Sequence, residues 1–162
     1  MAPRMRRSVR AIILDPDDQV LLCRHDTTAA GGPVVWAMPG GGVEPGETDL
    51  QALRRELAEE VGLRVTALPP HVWHQRALVD HAPGYDGVVN DYFLVRAPAF
   101  TPRGEWDDAR LAAEQITGMR WWSVPEIAAG HGDDLFSPRA LAATLGALLA
   151  GGVPAEPVRL GV

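Results

Sequence analysis

Three consecutive glycines, Gly40 to Gly42, interrupt the chain just ahead of its most strongly signalled helix. Thr48 is a good N-cap, Gln51 three residues on completes a capping-box pattern, and Gly62 is placed to end the helix. Within it Leu50, Leu53, Leu57 and Val61 recur at helical spacing and form one apolar stripe that a core must cover. At ~100° per residue, Glu56, Glu59 and Glu60 share an arc of roughly 100° beside that stripe, with Arg54 and Arg55 elsewhere on the circumference. Any fold for this chain must bury the stripe and still hold three carboxylates near backbone that carries no side chains.

The surrounding pattern is that of a mixed sheet. Val9–Leu14 and Val20–Arg24 read as a hairpin closed by Asp15-Pro16-Asp17-Asp18, and Val34–Met38 as extended chain. Beyond the helix, Leu63–Leu68, Val72–Val79, Val88–Val95 and Met119–Ser123 read as strands. Asp107–Glu114 reads as a short helix or a loop, and Val124-Pro125-Glu126-Ile127 as a helix entry. Pro138 suits the first position of a last helix, Arg139–Leu149. Strands outnumber helices without regular alternation, so an α/β (α+β) fold with helices on the faces of a mixed sheet is expected, rather than a parallel doubly wound one. At 162 residues the chain has the length of one domain, with loose ends expected over residues 1–7 and 152–162.

Composition excludes several classes. Apolar residues make up 46% and charged residues 22%, which is globular and not disordered. The apolar runs are far shorter than the ~20 residues of a membrane helix, and the basic start, Arg4 to Arg10, meets Asp15 too early for a secretory leader. One cysteine, Cys23, permits no internal disulfide, so a reducing cytoplasm is the expected compartment. A net charge of -6 disfavours generic binding to a nucleic-acid backbone.

Like charges three and four residues apart on a helix repel, and a hard divalent cation held through oxygens would offset that repulsion. Taken alone, a Glu-x-x-Glu-Glu pattern is more often a solvated acidic face. The adjacent glycine turn shifts the balance, because bare backbone approaches an ion or phosphate closely. Mg²⁺ is commonly shared between a few carboxylates and substrate phosphates. A water on such a metal becomes a better nucleophile, and a free carboxylate can take its proton. The implied chemistry is phosphoanhydride hydrolysis.

The run Gly41-x5-Glu47-x7-Arg55-Glu56-Leu57-x-Glu59-Glu60-x-Gly62-Leu63 resembles a complete Nudix box over residues 41–63, and Trp36-Ala37-Met38-Pro39-Gly40 resembles the lead-in usual in that family. With residue frequencies of order one in fifteen, chance agreement at seven polar or glycine positions is negligible. The resemblance implies an α/β/α sandwich in which the box forms loop, helix and loop. It also implies Mg²⁺, with Mn²⁺ as a possible substitute, held by Glu56, Glu59, Glu60 and the Gly40 carbonyl, one glutamate serving as base. Glu47 and Arg55 would pair to orient the loop. A later acidic residue often joins such sites, and Glu114 is the choice here, Glu105 the second.

Substrate contacts are less legible. Trp36, Tyr92, Phe93 and Trp106 are candidates to stack a base, though each is more often a core or edge aromatic. Arg24, His25 and Arg76 are candidates to meet phosphates. The spacing His71-x2-His74 with His81 is set aside as a zinc site, since it lacks cysteine partners and lies on extended chain. The expected substrate is a small nucleotide: a nucleoside triphosphate or derivative, as for the MutT type, slightly ahead of an ADP-sugar or dinucleotide. A nucleotide-sensing protein without turnover and a structural domain with an acidic helix face are the alternatives, and a homodimer is left open.

Overall fold

The structure, a computed structural model, describes residues 1–79 and 83–161. Among the described residues nine strands form one mixed sheet: β1 (Met5–Leu14), β2 (Val20–Asp26), β3 (Val34–Ala37), β4 (Gly40–Gly42), β5 (His71–Leu78), β6 (Gly87–Arg96), β7 (Ile116–Trp122), β8 (Leu135–Ser137) and β9 (Val158–Leu160). The strand order is β8-β3-β2-β1-β6-β5-β9, with β4 paired to β1 and β7 to β2. The pairs β1/β6, β3/β8 and β5/β9 are parallel and the others antiparallel. Among the described residues no helix is long and apolar enough to cross a membrane.

Strand β1 is buried on both faces, which is why Ala11-Ile12-Ile13-Leu14 is continuously apolar. Ile12 and Leu14 point to one face, packed under α3 (Val124–Ala129) and α4 (Leu141–Gly151) through Ile127, Leu141, Leu145 and Leu148. Val9, Ala11 and Ile13 point to the other, under α1 (Asp49–Glu60) and α2 (Asp108–Ala113) through Leu53, Leu57 and Leu111. The result is the expected α/β/α sandwich with a mixed sheet.

The capping box of α1 forms as expected: Gln51 N donates to Thr48 Oγ1 at 3.2 Å and Thr48 N to Gln51 Oε1 at 2.8 Å. Its C-terminal carbonyls would be left open. The loop after β6 satisfies them, with Arg103 N donating to Val61 O, Glu105 N to Ala58 O and Trp106 N to Glu59 O. Gly104 lies so near the Ala58 and Glu59 carbonyls that a Cβ would overlap them.

Several expectations are corrected. Residues 63–68 form a loop, not a strand, and Val65 alone among their apolar side chains is fully buried. The last helix begins at Leu141, because Leu135–Ser137 pair with β3 and Pro138 starts the turn that Leu141 N closes onto Pro138 O. The expected loose ends contribute strand at both termini. Met5–Arg7 extend β1 alongside β6, and Val158–Leu160 pair with β5, Val158 opposite Trp73.

Candidate active site

Glu56 and Glu60 sit one turn apart on the buried side of α1, 7% and 5% exposed. Facing them is β4, held against β1 with Gly40 opposite Arg10 and Gly41 opposite Val9. Gly40 N donates to Glu60 Oε2 at 3.0 Å. A Cβ built on Gly41 would fall 2.5 Å from Glu56 Oε1, so side-chain-free backbone is what admits the carboxylate there.

Arg55 ties this arrangement together. Its Nε and Nη2 donate to both oxygens of Glu47 at 2.8 and 2.9 Å, and Nη2 also donates to Gly42 O at 3.0 Å. Nη1 reaches Glu56 Oε1 at 3.0 Å and Glu59 Oε2 at 3.5 Å. Glu47 Oε1 in turn accepts from Glu44 N at 2.8 Å, which closes the loop between β4 and α1. The bidentate bond holds the Glu47 carboxyl below the ordinary carboxylate range, and the same bond, more than the neighbouring charges, raises Arg55.

These groups line a cavity of about 440 Å³ that includes Gly40 to Gly42, Glu56, Glu59, Glu60, Glu114 and Trp106. Desolvation, reinforced by the charge of Glu56, pushes the Glu60 carboxyl up to about 8. Burial raises Glu56 and Glu59 as well, Arg55 opposing the rise in both. Glu114 lies near enough for its charge to add to the rise at Glu56, while it pairs with Arg110 at 3.1 Å. Glu105 exerts its charge on Glu59 instead. The pocket thus gathers five glutamates, Glu44 among them, beside Arg6, Arg10, Arg55 and Arg110. Its donors are carboxylate and backbone oxygens, the set that suits a hard divalent cation. The ligand oxygens of the three glutamates do not all lie within 4.8 Å of one another.

Of the proposed substrate contacts, the pocket contains His25 and Trp106. Burial, with Arg10 nearby, depresses the His25 imidazole to about 4. Arg24 is engaged with Thr117 Oγ1 at 2.8 Å and Asp26, and Arg76 is exposed on β5, opposite Val89 on β6. Trp36 and Tyr92 are core residues, not stacking platforms. Trp36 packs edge-on to Trp122 at 5.0 Å and donates Nε1–H to Asp134, and Tyr92 is 1% exposed against Trp73. Phe93 is likewise buried. Trp106 lines the pocket, with the Arg110 guanidinium 4.4 Å from its ring centre.

Sequence reasoning missed Arg6 and Arg10, which also line the pocket. Arg10 Nη1 donates to Met38 O at 3.0 Å. The available signal was a charge set inside an otherwise apolar strand, Val9-Arg10-Ala11-Ile12. The histidine spacing also turns out differently. His71 and His74 converge with Asp91 on the sheet, outside this pocket, whereas His81 lies outside the described residues.

The model of the NUDIX domain matches residues 4–141, and the chain belongs to the Nudix hydrolase family. It is 32% identical to an RNA pyrophosphohydrolase of Gluconacetobacter diazotrophicus over 149 residues, 81% of this chain and 86% of that protein. It is 35% identical to the nucleoside triphosphatase NudI of Enterobacter sp. (strain 638) over 92 residues, 56% of this chain, and spans 64% of that relative's length. The solution structure of the E. coli ORF135 protein superposes with a TM-score of 0.66 at 26% identity, covering 95% of this chain and 96% of that one.

Proposed function

We propose that this chain is a divalent-metal-dependent pyrophosphohydrolase of nucleoside triphosphates or their derivatives. The observation that carries the reading is the convergence of Glu56, Glu59 and Glu60 with the Gly40–Gly42 backbone in one pocket, locked by Arg55. Glu56, Glu59 and Glu60, with the Gly40 carbonyl and Glu114, would hold the ion, Mg²⁺ or Mn²⁺ in its place. Bound there, the ion supplies a Lewis acid that neutralises phosphate charge and lowers the pKa of a bound water.

The chain's own groups do the rest. Arg55 fixes the loop by pairing with Glu47 and holding the Gly42 carbonyl, so the carboxylates are positioned before substrate arrives. Arg6 and Arg10 supply guanidinium donors for phosphate oxygens, a geometry guanidinium matches well. His25, depressed to about 4, is neutral at physiological pH and acts as a hydrogen-bonding partner without charge. One of the glutamates accepts the proton of the attacking water. Trp106 is the aromatic surface in the pocket available to a base. The two curated relatives, a nucleoside triphosphatase and an RNA pyrophosphohydrolase, support triphosphate chemistry over an ADP-sugar or dinucleotide.

The test is phosphate and pyrophosphate release with Mg²⁺ across nucleoside triphosphates, oxidised nucleotides, triphosphate-capped RNA, ADP-ribose, nucleotide sugars and dinucleoside polyphosphates. Turnover of triphosphates that is lost in Glu60→Gln is the expected result. Turnover confined to ADP-ribose or dinucleotides would replace the substrate assignment. Nucleotide binding without turnover of any member would replace the enzyme with a sensor.

A further inference from the structure

Residues three apart on a regular strand point to opposite faces of a sheet, so His71 and His74 should diverge. They do not, because β5 carries a bulge. His71 lies opposite Phe93, Trp73 opposite Tyr92 and His74 opposite Asp91, so the step from His71 to Trp73 is matched by a single residue of β6. The extra residue, Val72, brings His71 onto the face shared by Asp91, Phe93 and His74, while Trp73 and Tyr92 remain on the other. His71 Nε2 lies 2.9 Å and His74 Nδ1 2.7 Å from the same oxygen, Asp91 Oδ1. Among the described residues these three are the one group of three or more His, Cys, Asp or Glu side chains whose ligand atoms all lie within 4.8 Å of one another.

From this geometry we propose that His71, His74 and Asp91 form a binding site for a divalent transition-metal ion of the Zn²⁺ class, separate from the carboxylate pocket. Two imidazole nitrogens and one carboxylate oxygen suit zinc, nickel or copper, whereas Mg²⁺ and Ca²⁺ prefer oxygen alone. Three protein ligands leave a fourth position, and both histidine side chains are 34% exposed, so the ion has a route in and water can complete the tetrahedron. Asp91 is 6% exposed and anchors the site from within the sheet. His71 is steadied by stacking on Phe93, ring centres 4.9 Å apart. Its Nε2 also lies 3.0 Å from Trp73 O, a hydrogen bond given up when that nitrogen turns its lone pair to an ion. Bonds of about 2.0–2.1 Å in a tetrahedron set ligand atoms roughly 3.3 Å apart, so each histidine nitrogen draws back from Asp91 Oδ1 by about half an ångström on binding.

The site stands at the same level of the sheet as the glycine turn, since Val9 on β1 pairs with Gly41 on one side and Asp91 on the other. Two strand spacings, roughly 10 Å, separate Gly41 from Asp91. None of the three ligands lines the carboxylate pocket, so the two sites should load independently.

The test is isothermal titration of the full chain with Zn²⁺ in excess Mg²⁺, which keeps the carboxylate pocket occupied. One Zn²⁺ per chain is expected in wild type and in Glu59→Gln. His71→Gln and His74→Gln should each weaken it by more than about tenfold, because even partners outside the coordination sphere cost about 10–100-fold. Binding that is absent under excess Mg²⁺, or as tight in both histidine variants as in wild type, overturns the site. Should either variant fail to fold, electron paramagnetic resonance of Cu²⁺-loaded wild type decides. Splitting by two imidazole nitrogens supports the assignment, and an all-oxygen signal refutes it.

Discussion

Glu60→Gln in the metal-free protein tests the electrostatics of the pocket apart from catalysis. In the unfolded chain this carboxyl ionises near its ordinary 4.5, and in the fold at about 8, chiefly because it is desolvated and secondly because Glu56 lies beside it. A carboxyl raised by folding binds its proton more tightly in the native state, so its contribution to stability is full below 4.5 and is lost as pH rises through about 8. At ~1.4 kcal/mol for each tenfold in proton affinity, full ionisation costs the native state at most about 5 kcal/mol. Relaxation of Glu56 toward Arg55 and entry of water through the pocket return part of that, leaving about 3 kcal/mol. Glutamine keeps the acceptor that Gly40 N requires and carries no charge. With chelator present, the variant should therefore melt roughly 6–12 °C above wild type at about pH 9 and match it near pH 5. Mg²⁺ should close the gap by stabilising wild type more than the variant. Equal melting of the two proteins at high pH, or a difference that does not change with pH, would refute the argument.

Gly41→Ala places a methyl group 2.5 Å from Glu56 Oε1. The displaced carboxylate should lower kcat by about 10–100-fold and raise the Mg²⁺ concentration needed for half-maximal rate; steady-state rates at varied Mg²⁺ check this. Arg55→Ala removes the bonds to Glu47 and Gly42 O and should destabilise the fold by about 2 kcal/mol in urea titration, whereas a loss under about 0.5 kcal/mol would show that the loop holds without it. The His25 imidazole, depressed to about 4 by burial and by Arg10, should keep constant nitrogen chemical shifts as pH falls from about 8 to about 5.5. A midpoint near the ordinary 6.5 would show that water reaches it freely.

Local signals in the sequence carried most of the fold. The Thr48–Gln51 box, the stripe Leu53, Leu57, Val61 and the terminating Gly62 all concern groups within a few residues of one another, and α1 forms where they place it. The apolar run of β1 announces a strand covered on both faces, and it is. Partners distant in sequence left no such trace. Residues 63–68 have strand composition and no ladder, whereas Val158–Leu160 and Met5–Arg7 gain strand because β5 and β6 present open backbone to them. Aromatic character likewise says nothing of which face a ring takes: Trp36 and Tyr92 are drawn into the core under α4, and Trp106 reaches the pocket because its loop caps α1.

Strand β1 shows how one element can serve stability and chemistry together. Its far half is apolar on both faces and fixes the two cores, which makes the near half rigid enough to act as a frame. On that frame Arg10 is aimed into the pocket beside Gly40, while Val9 holds Gly41 on one side and Asp91 on the other. The carboxylates of α1 approach this frame only where glycine leaves space. Two histidines meet Asp91 only where a bulge in β5 turns His71 over. In both places a departure from regular strand geometry brings polar groups together next to a regular, apolar stretch. Deletion of Val72 would remove the bulge yet set His71 two residues before His74, on the same face of a regular strand, so the two histidines should still meet Asp91 while the approach of Glu56 to Gly41 is unchanged.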